Sequence, residues 1–145
     1  MNILVLNGPS LQLLGKREPE IYGSATYSDL VSMIEAHCKE KNISVEFLQS
    51  NHEGILLDAI CNAQGRCDAI VINPAAYTHT SIALYDAVQA VALPTVEVHI
   101  SNPDKREDFR KTSYIRAACV ATIAGKGFAG YLCAIDLLAD ILNHG

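Results

Sequence analysis

Short apolar runs alternate with amphipathic segments along most of this chain. NILVL (2–6) is almost wholly apolar, as a strand covered on both faces would be. In TYSDLVSMIEAHCKEK (26–41), Leu30, Ile34 and Cys38 recur at helical spacing, with Thr26 as the expected N-cap and Asp29 in the first turn. ISVEFLQ (43–49) alternates as an edge strand does, and EGILLDAICNAQ (53–64) reads as helical. DAIVIN (68–73) is a buried-strand pattern, TSIALYDAVQAV (80–91) a helix and TVEVHI (95–100) a fourth strand. CVATIAG (119–125) completes the strands, and GFAGYLCAIDLLADILNH (127–144) is a closing helix.

Five strands interleaved with helices predict βαβ units and therefore a parallel sheet with helices on both faces. The fold class expected is α/β, a flavodoxin-like three-layer sandwich whose five-stranded parallel sheet has the order 2-1-3-4-5. At 145 residues, positions 1–145 should form a single catalytic domain. Such sheets bind ligands beyond the carboxyl ends of their strands, at the switch between the first and third. Attention therefore falls on the loops after strands one, three and four.

Composition narrows the classes of function. A formal net charge of −5 argues against nucleic acid or an anionic membrane as the main partner, so any arginine cluster should serve something small and local. The five cysteines (Cys38, Cys61, Cys67, Cys119, Cys133) form no CxxC pair and fall mostly in apolar runs, where cysteine acts as a small hydrophobe. The ILVL stretch is too short for a signal peptide and no run approaches a membrane span, so a cytoplasmic location is expected.

The chemistry-bearing residues sit in the three loops singled out by topology. After the first strand, NGPSLQLLGKREPEIYG (7–23) is long for a βα connection and reads as a lid or binding loop without regular structure. It places Arg17 and Tyr22 close together. A phenol, with a pKa of about 10, is a poor base near neutrality unless a cation lies beside it. NPAAYTHTS (73–81) follows the third strand and contributes Asn73 and His79. HISNPDKREDFR (99–110) follows the fourth, with His99 ending the strand and Arg106 and Arg110 expected on one helix face at i,i+4 spacing.

Each of these residues also has an ordinary structural reading. Asn73 before proline suits a turn, His79 can merely lead into a helix capped by Thr80 or Ser81, and Tyr22 can be a packing residue. Arg106 and Arg110 can form a solvated face balanced by Glu107 and Asp108. Glu97, inside an apolar strand, requires a partner because an unpaired buried carboxylate is costly. Convergence on one crevice favours the functional reading. His52, Glu53, His79 and His99 lack HxH or HExxH spacing, so no metal is expected. Neither a Walker pattern, nor GxGxxG, nor the Ser/Thr-rich phosphate loop of an FMN carrier is present, so no cofactor is expected. The inventory suits proton transfer beside a carbonyl in a small anionic substrate.

NGPSLQLLGKREPEIYG, QSNHEG, INPAAYTHTSIALYDA and EVHISNPDKREDFRKTSY together resemble the successive signature blocks of the type II 3-dehydroquinate dehydratases. The resemblance runs from the first strand to the last helix. It implies a cofactor-free hydro-lyase that interconverts 3-dehydroquinate and 3-dehydroshikimate through an enolate, in the shikimate or the quinate pathway. It also implies a homo-oligomer, a dodecamer built from four trimers. By the resemblance Tyr22 is the base and Arg17, on the same loop, stabilises the tyrosinate. Asn73 stabilises the enolate oxygen through a water. His99 protonates the departing hydroxyl, with Glu97 orienting it. The backbone N–H groups of Ile100 and Ser101 hold the substrate carboxylate, and His79 and Arg110 bind ring hydroxyls. Arg106 supports the lid, and Asp86 reaches into a neighbouring subunit's site.

Two departures from the family pattern stand out. Ser10 and Gln12 occupy positions where the family usually carries asparagine, and the asparagine at the first helps order the site near the base. Tyr85, beside Asp86, replaces a frequent arginine. The rival these changes raise is a catalytically weakened homologue that binds a quinate-like ligand. QSNHEG (49–54), rich in hydrogen-bonding groups, is expected to brace a neighbouring loop or a subunit contact.

Overall fold

The structure is a computed structural model that describes residues 1–16 and 18–145, with the backbone alone at Tyr22. Five strands run parallel in the order β2-β1-β3-β4-β5: β1 (Asn2–Asn7), β2 (Ser44–Gln49), β3 (Ala69–Asn73), β4 (Thr95–His99) and β5 (Ala121–Ala124). This is the flavodoxin-like order expected from the sequence. Strands β3 and β4 are buried at every position, while the outer strands β2 and β5 are mainly half-buried.

Side chains alternate across the strands and so feed two separate cores. Ile3 and Val5 of β1 point to one face, where they join Leu30 and Ile34 of α2 (Tyr27–Glu40) and Ile135 and Leu138 of α5 (Ala129–His144). Leu4 and Leu6 point to the other, against Leu56 and Ile60 of α3 (Glu53–Ala63) and Leu84 and Val88 of α4 (Ile82–Val91). Thr26 and Asp29 form a reciprocal capping box at the start of α2, as their positions predicted. Of the two candidates at α4, Ser81 is the cap, accepting from the Leu84 N–H at 3.0 Å. Among the described residues no helix is long and apolar enough to cross a membrane.

Two expectations are corrected. The first loop is not structureless: it contains a 3-10 turn, Leu11–Leu13, and a one-turn helix α1 (Pro19–Tyr22) with proline at its first position. Leu11 and Leu14 are buried in the α2/α5 core and fasten this loop to the body. Second, Arg106 and Arg110 do not share a helix face. Residues 103–111 form two 3-10 turns, Pro103–Lys105 and Asp108–Lys111, because Asn102 and Pro103 start a turn that closes at Arg106. Arg106 itself is extended, with φ −110° and ψ −152°, which breaks the helical register.

Candidate active site

A cavity of about 280 Å3 opens beyond the carboxyl ends of β1, β3 and β4. It lies where the strand order places the switch point. Its walls bring Asn73, His79, His99, Ile100, Ser101, Arg106 and Arg110 together, with Ser10, Leu11 and Leu14 from the first loop.

The closeness of the β1 and β3 loops depends on Gly8. Its N–H donates to the Asn73 carbonyl at 2.8 Å, and a Cβ here would sit 2.5 Å from the Pro74 carbonyl oxygen. Ser10 then adopts the left-handed region at φ 70°, which asparagine tolerates better than serine. Its N–H donates to Asn51 Oδ1 at 2.9 Å. Gln49 donates to the Gly8 carbonyl and to Gln12 Oε1, and the Tyr77 hydroxyl donates to the Asn51 carbonyl at 2.7 Å. QSNHEG thus braces the first loop, the first of the two uses expected for it.

Glu97 and His99 lie two residues apart on β4, so both project from the same face. His99 Nε2 donates to Glu97 Oε2 at 2.5 Å, which leaves Nδ1 as its second functional nitrogen. Glu97 is fully buried. Its Oε2 also accepts from Thr78 and Ser113, and its Oε1 from Arg116 Nε at 3.1 Å and Thr122 at 2.9 Å. Burial alone would push this carboxyl up. The hydrogen bond and charge of His99, with the hydroxyls of Ser113 and Thr78, outweigh burial and hold it well below the usual carboxylate range. The partner that an inward-facing glutamate demanded is therefore a five-donor cradle. Thr78, Ser113, Arg116 and Thr122 come from separate parts of the chain, so no local pattern announced them.

Asn73 is 3% exposed and held at both ends of its amide. Its Oδ1 accepts from the Ala75 N–H at 3.1 Å and its Nδ2 donates to the Tyr131 hydroxyl at 2.9 Å. His79 donates from Nδ1 to the Thr112 carbonyl at 2.6 Å, so its tautomer is assigned and Nε2 is left as an acceptor or a second donor. Ile100 and Ser101 line the cavity, and their carbonyls are taken up by the N–H groups of Gly127 and Gly125 at 3.1 and 3.2 Å. The turn at 124–127, after β5, thereby supports the β4 loop. Arg110 pairs with Glu107, while Arg106 lies 3.7 Å from Glu18 at the start of α1 and links the first loop to the cavity wall.

Not every expected residue is placed in this cavity. Arg17 lies outside the described residues, and Tyr22 is described only as the last residue of α1. Asp86 is exposed on α4 and does not line the cavity of its own chain. Among the described residues no group of three or more histidine, cysteine, aspartate or glutamate side chains is arranged to hold a metal ion.

The cavity can bind an anion through two arginines, donate a hydrogen bond from a fixed amide, and pass a proton through a histidine backed by a carboxylate. Known proteins share this chain's sequence and shape. Residues 1–139 match the family described as dehydroquinase class II. A 3-dehydroquinate dehydratase of Corynebacterium glutamicum (strain R) is 57% identical over 139 residues, covering 96% of each chain. One from Clostridium botulinum (strain Loch Maree / Type A3) is 47% identical over 144 residues, covering 99% of this chain and 98% of its own. The crystal structure of a type II dehydroquinase from Butyrivibrio crossotus superposes with a TM-score of 0.94 at 51% identity, covering 96% of this chain and 97% of the other. With the match extending across the sheet, the cavity and most of α5, the chain belongs to the class II dehydroquinase family.

Proposed function

We propose that this chain is a type II 3-dehydroquinate dehydratase, removing water reversibly from 3-dehydroquinate to give 3-dehydroshikimate. The observation that carries this reading is the His99–Glu97 pair at the end of β4, facing a cavity that also holds Asn73, Arg106 and Arg110. That set supports an active enzyme over a weakened homologue, since the departures at Ser10, Gln12 and Tyr85 remove none of it.

In this mechanism Tyr22, as phenolate, takes the proton from the carbon beside the ketone, and Arg17 stabilises that phenolate. The electron pair moves into the carbonyl, and the enolate oxygen is stabilised by Asn73, through a water. His99 then donates a proton to the departing hydroxyl as the enolate collapses to the conjugated enone, so one water leaves. Glu97 keeps the imidazole oriented and compensates its charge. The N–H groups of Ile100 and Ser101 bind the substrate carboxylate, and His79 and Arg110 bind its ring hydroxyls. Arg106, near Glu18, supports closure of the first loop. Proton donor and acceptor are both side chains, so the sequence of steps uses no cofactor. Asp86 serves the site of a neighbouring subunit in a dodecamer of four trimers, working in the cytoplasm in either aromatic biosynthesis or quinate breakdown.

The test is to add purified, chelator-treated protein to 3-dehydroquinate and follow the ultraviolet absorbance of the conjugated enone. A rise that Tyr22→Phe abolishes is expected. No rise from correctly assembled wild-type protein would overturn the proposal.

A further inference from the structure

Behind the cavity lies a buried chain of side chains that the mechanism above does not use. Tyr131, on α5, is fully buried, and its hydroxyl donates to Asn7 Oδ1 at 2.6 Å. Asn7 is also fully buried, and its Nδ2 faces the Tyr27 hydroxyl at 3.4 Å. The Tyr131 oxygen accepts from Asn73 Nδ2. Asn7 and Asn73 are paired neighbours at the ends of β1 and β3, so one α5 side chain bridges the two strands at the switch point.

A phenol has one proton, and that fact orders the chain. With the proton committed to Asn7 Oδ1, the oxygen can only accept from Asn73. Asn73 must then present its NH2 end to Tyr131, while the Ala75 N–H holds its Oδ1 from the other side. Asn7 lies in the matching sense, with Oδ1 accepting the Tyr131 proton and Nδ2 toward the Tyr27 oxygen. Burial keeps the Tyr131 proton in place: removal from water pushes its pKa far above that of an ordinary tyrosine, outweighing the hydrogen bond from Asn73. One N–H of Asn73 is spent on Tyr131 and the second remains for the cavity that Asn73 lines.

We infer that Tyr131 is a positioning residue for the reaction. With Asn7 behind it, it anchors the NH2 end of the Asn73 amide while the Ala75 N–H anchors Oδ1, so that a donor is held toward the water that stabilises the developing enolate. A displaced amide would no longer donate to that water, which would lose the hydrogen bond that polarises it toward the enolate. The inference rests on the enolate-stabilising role proposed for Asn73.

The experiment is a double-mutant cycle in kcat and KM with Tyr131→Phe, Asn73→Ala and the pair, on protein whose assembly matches wild type. Removing one preorganised oxyanion donor typically costs about 10²–10³ in kcat, so Asn73→Ala should fall in that range. Tyr131→Phe removes one of the amide's two anchors, leaves an N–H of Asn73 without its acceptor and lets the amide swing about the remaining Ala75 contact. It should lower kcat by about tenfold to a hundredfold with KM little changed. In the Asn73→Ala background, Tyr131→Phe should cost nothing further in kcat, because its only route to the reaction is gone. A purely structural tyrosine would cost the same in both backgrounds, and that result would overturn the inference. A folded Tyr131→Phe with wild-type kcat would overturn it as well. If Tyr131→Phe fails to fold, Asn7→Ala takes its place in the same cycle. It removes the acceptor of the Tyr131 proton, so the hydroxyl is no longer held opposite Asn73 Nδ2 and the same kcat loss is expected, with an unchanged kcat overturning the inference. Wild-type kcat in Asn73→Ala itself would instead show that the role proposed for Asn73 is wrong.

Discussion

Replacing Glu97 by glutamine keeps the shape of the side chain and removes its charge. The carboxylate accepts from His99, Thr78 and Ser113 on one oxygen and from Arg116 and Thr122 on the other. An amide has only one oxygen, and Arg116 Nε–H can only donate, so that oxygen must stay toward Arg116. The NH2 group then faces His99, Thr78 and Ser113. Both hydroxyls can rotate to accept, but His99 can accept at Nε2 only by moving its proton to Nδ1 and remaining neutral. The variant therefore favours a neutral imidazole, whose Nδ1–H is a far weaker acid than imidazolium, and loses the charge that compensates the protonated form. Breaking a buried ion pair costs about 3–5 kcal/mol. Because the Arg116 side chain is 39% exposed and can rehydrate, we expect about 2–4 kcal/mol here. At roughly 3 °C per kcal/mol for a domain of this size, Tm should fall by about 6–12 °C. Loss of general acid catalysis should lower kcat by about 10²–10⁴. Acid adds an independent check. The pKa of Glu97 is lowered from its ordinary value of 4.5, so its stabilisation is complete above that pH and is lost as pH falls toward the depressed folded value. The gap in Tm between wild type and Glu97→Gln should thus hold steady above about pH 5 and narrow progressively as pH falls below about 4.5. A glutamine variant with Tm within about 2 °C of wild type and kcat within about twofold would refute this account of the cradle.

Other expectations follow from single residues. Ser10 holds a left-handed conformation, which costs an ordinary L-residue about 1–2 kcal/mol. Both Ser10→Asn and Ser10→Gly should raise Tm slightly, and a gain in kcat confined to the asparagine would show that its amide, not the relaxed backbone, helps the site. A fall in Tm for both would contradict the backbone reading. Gly8→Ala drives a methyl to 2.5 Å from the Pro74 carbonyl oxygen and should cost about 1–3 kcal/mol, measured by denaturant unfolding, with a raised KM as the two loops separate. Unchanged stability would mean the loops part freely. Arg110→Ala should raise KM by about tenfold to a hundredfold, the loss of one charge-assisted hydrogen bond of about 1.5–3 kcal/mol, and an unchanged KM would remove Arg110 from substrate binding.

Much of this molecule was legible from order along the chain. Apolar runs alternating with helical patterns carry the βαβ topology, because period and burial are local consequences of backbone geometry. Topology in turn pointed to the loops after β1, β3 and β4, and the cavity lies there. His99 and Glu97 were readable together because strand periodicity alone puts residues two apart on one face. Local pattern failed where several weak turns compete, as between Asn102 and Lys111, where 3-10 turns replace the expected helix. It also failed where a group's meaning depends on distant partners. Only the tertiary structure decided that Thr78, Ser113, Arg116 and Thr122 surround Glu97, or that Tyr131 reaches Asn7 and Asn73. Hydrogen bonds act over a few ångströms in space, and Tyr131 and Asn7 stand 124 positions apart in the chain. The sequence by itself determined which groups were available and which end of the sheet would hold them. Packing of α5 against β1 and β3 supplied the partner for the NH2 end of the Asn73 amide, which the local Ala75 N–H alone leaves unheld, since burial leaves each polar group only the partners that the fold supplies.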